Sequence, residues 1–127
     1  MPAGWLGSLS HKRERAAALV APDDGSGARI GLDLEDAREP RQPIERRVLT
    51  ARELAALASR RDVTRVFAIK EAIYKAIDPF VRRYVGFLEV EIEIATGAVT
   101  TALPFRIETW SCERDGFWIA TARALPA

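Results

Sequence analysis

The chain reads as an α+β fold in which an antiparallel sheet packs against one long and one short helix. Three observations predict it. Helical periodicity is confined to the middle of the sequence, strand alternation lies on either side of it, and no internal repeat or low-complexity tract intervenes. At 127 residues and 48% hydrophobic content, the whole of 1–127 suits one small domain with its own core. A formal net charge of +1 gives no field of the kind that attracts nucleic acid. No apolar run approaches the ~18 residues of a membrane span. The start of the chain lacks the basic and apolar regions of a signal peptide, and the single Cys112 cannot form an internal disulfide, so a cytoplasmic setting is expected.

Taken in order, Gly4 to Arg15 reads as a loop rich in glycine, serine and charge, leading into a short buried strand at Ala16 to Ala21. The cluster Pro22 to Gly27 is a turn, so that strand is expected to form an antiparallel hairpin with Ala28 to Glu35. In the latter, Ile30, Leu32 and Leu34 alternate with Gly31, Asp33 and Glu35. The two acids share one face at roughly 7 Å spacing, and that face is read as solvated rather than core. Asp36 to Arg47, with two prolines and many charges, reads as a surface loop. Thr50-Ala51-Arg52-Glu53 fits a capping box that opens a short helix to about Arg60.

A longer helix is expected over Asp62 to Ile77, stopped by Asp78-Pro79. Val66, Ile69, Ile73, Ala76 and Ile77 form its apolar stripe, while Phe67, Glu71, Tyr74, Lys75 and Asp78 take the other side. Leu88 to Ile94, Ala98 to Thr109 and Phe117 to Arg123 then read as a three-stranded meander with turns at Thr96-Gly97 and Asp115-Gly116.

Asp33, Glu35 and Glu71 are oxygen donors of the kind a hard divalent cation prefers, and Lys70 and Lys75 are suited to phosphate oxygens. Ser8, Ser10, His11 and Lys12 could add donors from the N-terminal loop. Each has a plainer alternative. Glu71 and Lys75 at i, i+4 commonly form no more than a surface ion pair contributing about 0.3–0.5 kcal/mol.

In order along the chain, Gly7-Ser8-Leu9-Ser10-His11, Gly31-Leu32-Asp33-Leu34-Glu35, Val48-Leu49-Thr50 with Glu53, and Phe67-Ala68-Ile69-Lys70-Glu71-Ala72-Ile73-Tyr74-Lys75-Ala76 resemble the signature blocks of the 4'-phosphopantetheinyl transferases. Pro2-Ala3-Gly4-Trp5 and Tyr84-Val85-Gly86-Phe87 are similar to the enterobactin-synthase-type branch. The resemblance covers roughly Pro2 to Ile94. It implies magnesium-dependent transfer of the 4'-phosphopantetheine arm of coenzyme A to a serine of an acyl or peptidyl carrier protein, releasing adenosine 3',5'-bisphosphate. It assigns Asp33, Glu35 and Glu71 to the metal, Lys70 and Lys75 to the coenzyme A phosphates, and Ser10 with His11 to the 3'-phosphate. Glu71 matches the residue that helps deprotonate the carrier serine, and Lys75 the partner of the leaving oxygen.

Members of that branch resemble two similar halves, and this chain resembles the C-terminal one. Shorter, holo-acyl-carrier-protein-synthase-type relatives build their sites between identical subunits. The expectation is therefore a transferase completed by self-association or by an N-terminal half, or else a non-catalytic remnant that keeps weak coenzyme A or carrier affinity. Carrier proteins are acidic around the modified serine, so Arg46, Arg47, Arg82 and Arg83 either steer them or merely keep the surface soluble.

Overall fold

The computed structural model describes residues 3–127, so Met1 and the Pro2 that opens one of the resembling blocks lie outside the described residues. The chain begins with two strands, β1 (Trp5–Lys12) and β2 (Arg15–Pro22), where the sequence predicts a loop and a single strand. They pair antiparallel with each other, Lys12 opposite Arg15, around a two-residue turn in which Arg13 takes φ 55°. The expected hairpin between Ala16–Ala21 and the next strand does not form. Residues 23–28 give that next strand, β3 (Arg29–Asp36), the length to leave the ribbon and join the main sheet.

That main sheet has the order β3-β7-β6, from β6 (Phe105–Arg114) and β7 (Phe117–Pro126), which turn on Asp115-Gly116. Both turn residues have positive φ, 53° and 80°, as a type I′ hairpin requires. The expected three-stranded meander is thus corrected. Its first member shortens to β4 (Val90–Ile92), after a 3₁₀ turn at Phe87–Glu89, and its second divides into β5 (Val99–Thr101), which pairs with β4 in a separate ribbon, and the start of β6, which pairs with β7.

The helices fall close to where the sequence puts them. After α1 (Glu45–Val48), within the expected loop, Thr50 caps α2 (Ala51–Ala56) through the reciprocal bonds of a capping box. The long helix α3 (Arg61–Ile77) buries the expected stripe Val66, Ile69, Ile73, Ala76 and Ile77. It ends at Pro79, whose missing N–H breaks the ladder, although Asp78 keeps helical angles (φ −51°, ψ −40°) despite preceding a proline.

Small residues decide how close α3 comes to the sheet. Ala120, Ala122 and Ala124 of β7 lie opposite Asp33, Gly31 and Arg29 of β3, and cross-strand partners share a face. On that face a Cβ at Gly31 would stand 1.9 Å from the Ala72 carbonyl oxygen and 2.8 Å from the Ala76 nitrogen. Glycine there allows backbone-to-backbone contact between strand and helix. Consequently the face carrying Gly31, Asp33 and Glu35 points at α3 and is not a solvated one, because the alanines beside it leave room only for the helix. Leu32 and Leu34 are also buried, and Leu34 shares a surface with Ala16 and Ala17 of β2.

Candidate functional site

Asp33, in the middle of β3, is 6% exposed at the seam with α3. Lys75, in the last turn of α3, reaches across the seam. Its Nζ donates to the Leu32 carbonyl at 2.7 Å and the Leu9 carbonyl at 3.2 Å and stands 3.5 Å from Asp33 Oδ1. The expected partner of Lys75, Glu71 one turn earlier, is left to face Glu35 and Asp33. A single lysine therefore joins β1, β3 and α3.

The other edge of β3 is held by hydroxyls. Ser8 Oγ accepts from Leu32 N at 3.0 Å and Ser10 Oγ accepts from Leu34 N at 3.1 Å, so serine side chains take the place of strand carbonyls. Ser10 Oγ also donates to Asp33 Oδ1 at 3.4 Å. Lys12 Nζ lies 3.2 Å from Glu35 Oε1. Because successive strand residues point to opposite faces, Ser10 turns toward Asp33 while His11 is exposed on the outer face of the ribbon. The sequence pairs Ser10 with His11, and the strand separates them.

Three carboxylates crowded at one seam leave an electrostatic mark. Burial pushes the Asp33 carboxyl up to about 8, Glu35 adds to the rise through contact and charge, Glu71 adds a little more, and Lys75 opposes it. Burial also raises Glu71, followed by the charge of Glu35, again against Lys75. Asp33 Oδ2 is buried with no hydrogen-bond partner. Such an oxygen is costly unless something positive or a donor meets it.

Two cavities flank the seam. One of about 350 Å³ lies against Lys12, Arg13, Glu35, Arg38 and Phe67, and the other, of about 370 Å³, against Glu71, Tyr74, Arg83, Val85 and Phe87. In the second, the Tyr74 hydroxyl is buried without a partner, and burial raises its pKa. Phe87 packs tilted on Phe67 at 5.6 Å and edge-on to Tyr74 at 5.4 Å.

Lys70 does not belong to this cleft, which corrects its expected place among the phosphate ligands. Its side chain is 0% exposed, and Nζ donates to Val48 O at 2.7 Å, Glu53 Oε1 at 2.7 Å and Phe87 O at 2.9 Å. All three donors of an ammonium are thereby used. Burial draws its pKa down while Glu53 holds it up. Glu53, which the sequence marks only as a helix cap, also accepts from Thr50 N at 2.7 Å and Ile92 N at 2.6 Å. Sequence reasoning missed this pair because α3 is covered on two sides, by the sheet and by α1, α2 and Phe87, where an amphipathic pattern suggests one.

The fold is thus an α+β domain with three acids and a lysine lying near the seam between a strand and a long helix. The description "4'-phosphopantetheinyl transferase superfamily" matches residues 29–122. The chain belongs to that superfamily, and phosphopantetheinyl transfer is its general activity. The match begins at β3 and leaves the β1–β2 ribbon, with Ser10 and His11, ahead of it. A search of curated proteins found no match.

Among the described residues, no three His, Cys, Asp or Glu side chains converge on a single point as a ready-made metal cage. The donors nonetheless fit magnesium, which keeps several waters and takes only one or two carboxylates beside substrate phosphate. The orphaned Asp33 Oδ2 and the mutual repulsion of Asp33, Glu35 and Glu71 are what a hard cation would relieve. No helix among the described residues is long and apolar enough to cross a membrane.

Proposed function

We propose that the chain transfers the 4'-phosphopantetheine group of coenzyme A to a serine of an acyl or peptidyl carrier protein, in the cytoplasm and with magnesium. The observation that carries this reading is the buried, unpartnered Asp33 Oδ2 beside Glu35 and Glu71, within ion-pair reach of Lys75. Asp33, Glu35 and Glu71 would hold the metal. When bound, it supplies charge to the pyrophosphate oxygens in transit.

The serine oxygen attacks the phosphorus that bears the pantetheine, a serine phosphodiester forms, and the bond to the bridging oxygen breaks. Adenosine 3',5'-bisphosphate leaves with the electron pair. The serine proton passes to Glu71, directly or through a water that Glu71 orients. Lys75, whose ammonium spends two of its three donors on carbonyls, balances the leaving oxygen with the third. Such a step depends on placement and charge rather than on covalent catalysis. His11, exposed on the ribbon, is free to meet the 3'-phosphate, with Ser10 holding the strand edge behind it.

Residues 1–127 act as one domain of the enterobactin-synthase type, its cleft completed by a second copy of the chain or by an N-terminal half. Trp5, Leu9 and Val20, exposed by 48%, 76% and 54% on the outer face of the ribbon, support such a partner. Arg46, Arg47 and Arg82 are exposed and steer the acidic carrier, whereas Arg83 is held by Glu89 at 2.7 Å.

The test is incubation of the purified chain with coenzyme A, magnesium and an apo carrier protein, followed by intact mass of the carrier. A gain of one phosphopantetheine that a chelator abolishes is expected. No gain with several carriers would overturn transfer by this chain without an N-terminal half.

A further inference from the structure

Lys70 immediately precedes Glu71 on α3, yet it faces away from the cleft into a closed network. One ammonium joins the end of α1 through Val48 O, α2 through Glu53, and the 3₁₀ turn through Phe87 O. Glu53 extends the same network to β4 through Ile92 N. Both side chains are 0% exposed, so no phosphate can touch either of them.

A buried ion pair of this kind adds little net stability over an apolar pair of similar size. What it does, and an apolar pair cannot, is fix backbone groups from four elements at one point. One of those groups is the Phe87 carbonyl, and the Phe87 ring forms a wall of the cavity that Glu71 and Tyr74 share. Lys70 thus ties that wall to the helical turn that presents Glu71.

We propose that Lys70, braced by Glu53, is a positioning residue for the transfer step, holding Phe87 against α3 so that Glu71 and its cavity keep a productive shape. The proposal rests on the transferase reading above. It separates rate from binding: loss of Lys70 lowers kcat and leaves coenzyme A affinity unchanged, because Lys70 meets no part of coenzyme A. Misplacement by about 1 Å can cost on the order of a hundredfold in rate.

The experiment uses the full chain and follows carrier mass for rate, calorimetry for coenzyme A binding and melting temperature for fold. Lys70→Met should reduce kcat by about tenfold to a hundredfold with the coenzyme A Kd within about threefold of wild type. Lys70→Met combined with Glu53→Gln removes the stranded charge and should recover melting temperature but not kcat. Since either variant could fail to fold, Phe87→Ala keeps the carbonyl that Lys70 binds and removes only the wall. It should show the same split, with kcat reduced and Kd unchanged.

Wild-type kcat in a folded Lys70→Met chain, recovery of kcat together with stability in the double variant, or wild-type kcat in Phe87→Ala would each overturn the positioning role while leaving the transferase reading intact. A tenfold or greater loss of coenzyme A affinity in folded Lys70→Met would overturn it in favour of a phosphate contact. No transfer by the wild-type chain would overturn both.

Discussion

Two lysines one and a half turns apart on α3 each meet a carboxylate, and the two meetings differ in completeness. Lys70 and Glu53 are sealed from water, and every donor of the ammonium has an acceptor. Lys75 and Asp33 sit at a half-open seam, 3.5 Å apart, with one Asp33 oxygen buried and unpartnered and two further acids close by. A finished network has nothing left to offer a ligand, so the first pair is scaffold. The second is unfinished in charge and in hydrogen bonding, and it is there that a cation and a phosphate have something to gain. Burial alone does not distinguish the two.

The largest expected break in that contrast is Glu53→Ala. It strands the Lys70 charge together with the Thr50 and Ile92 amides, and should destabilise the fold by about 3–5 kcal/mol in urea unfolding. A loss under about 1 kcal/mol would mean that water or another group reaches Lys70, and the pair would not be sealed. At the other pair the effect should fall on rate. Glu71→Gln should lower transfer by about a hundredfold, roughly 3 kcal/mol of barrier, with the circular-dichroism spectrum unchanged. Asp33→Ala should do the same, and undiminished transfer by either would remove that residue from the site.

Gly31→Ala should cost about 1–3 kcal/mol by forcing α3 off β3, because the added methyl meets the Ala72 carbonyl oxygen at 1.9 Å. Transfer should fall with it, since the same contact sets the distance from Asp33 to Glu71. A variant as stable as wild type would show that the seam is looser than described.

The open pair also carries a pH dependence. Asp33 in the fold is raised from 3.8 to about 8, so between those values the folded chain holds a proton that the unfolded chain has lost. On this account stability of the metal-free chain is greatest below the lower value and declines as pH rises through the window. Asp33→Asn should flatten that decline in thermal melts taken across the range, and an unaltered slope would place the titration elsewhere.

Much of the fold was legible because local signals act locally. The Thr50–Glu53 capping box, the α3 stripe and the Asp115-Gly116 turn all formed where the residues put them. Strand pairing was less legible, since a strand's partner depends on distant residues: β2 chose β1, and β3 chose β7. Asp33 shows the limit most clearly. An alternating acid reads as solvent-facing, and only the alanines of β7 together with Gly31 reveal that α3 lies on its side of the sheet. Lys70 misled for a related reason, because its network draws on residues 17 and more positions away.

The most direct test of the central claim, that the unfinished seam is the reactive one, is the melting temperature of wild type and Asp33→Asn near pH 8 with and without magnesium and coenzyme A. A ligand that binds only the folded state raises that temperature. Wild type should rise more with both ligands together than with the two separate rises added, and Asp33→Asn should lose that excess. No rise in wild type, or an equal rise in the variant, would contradict the account.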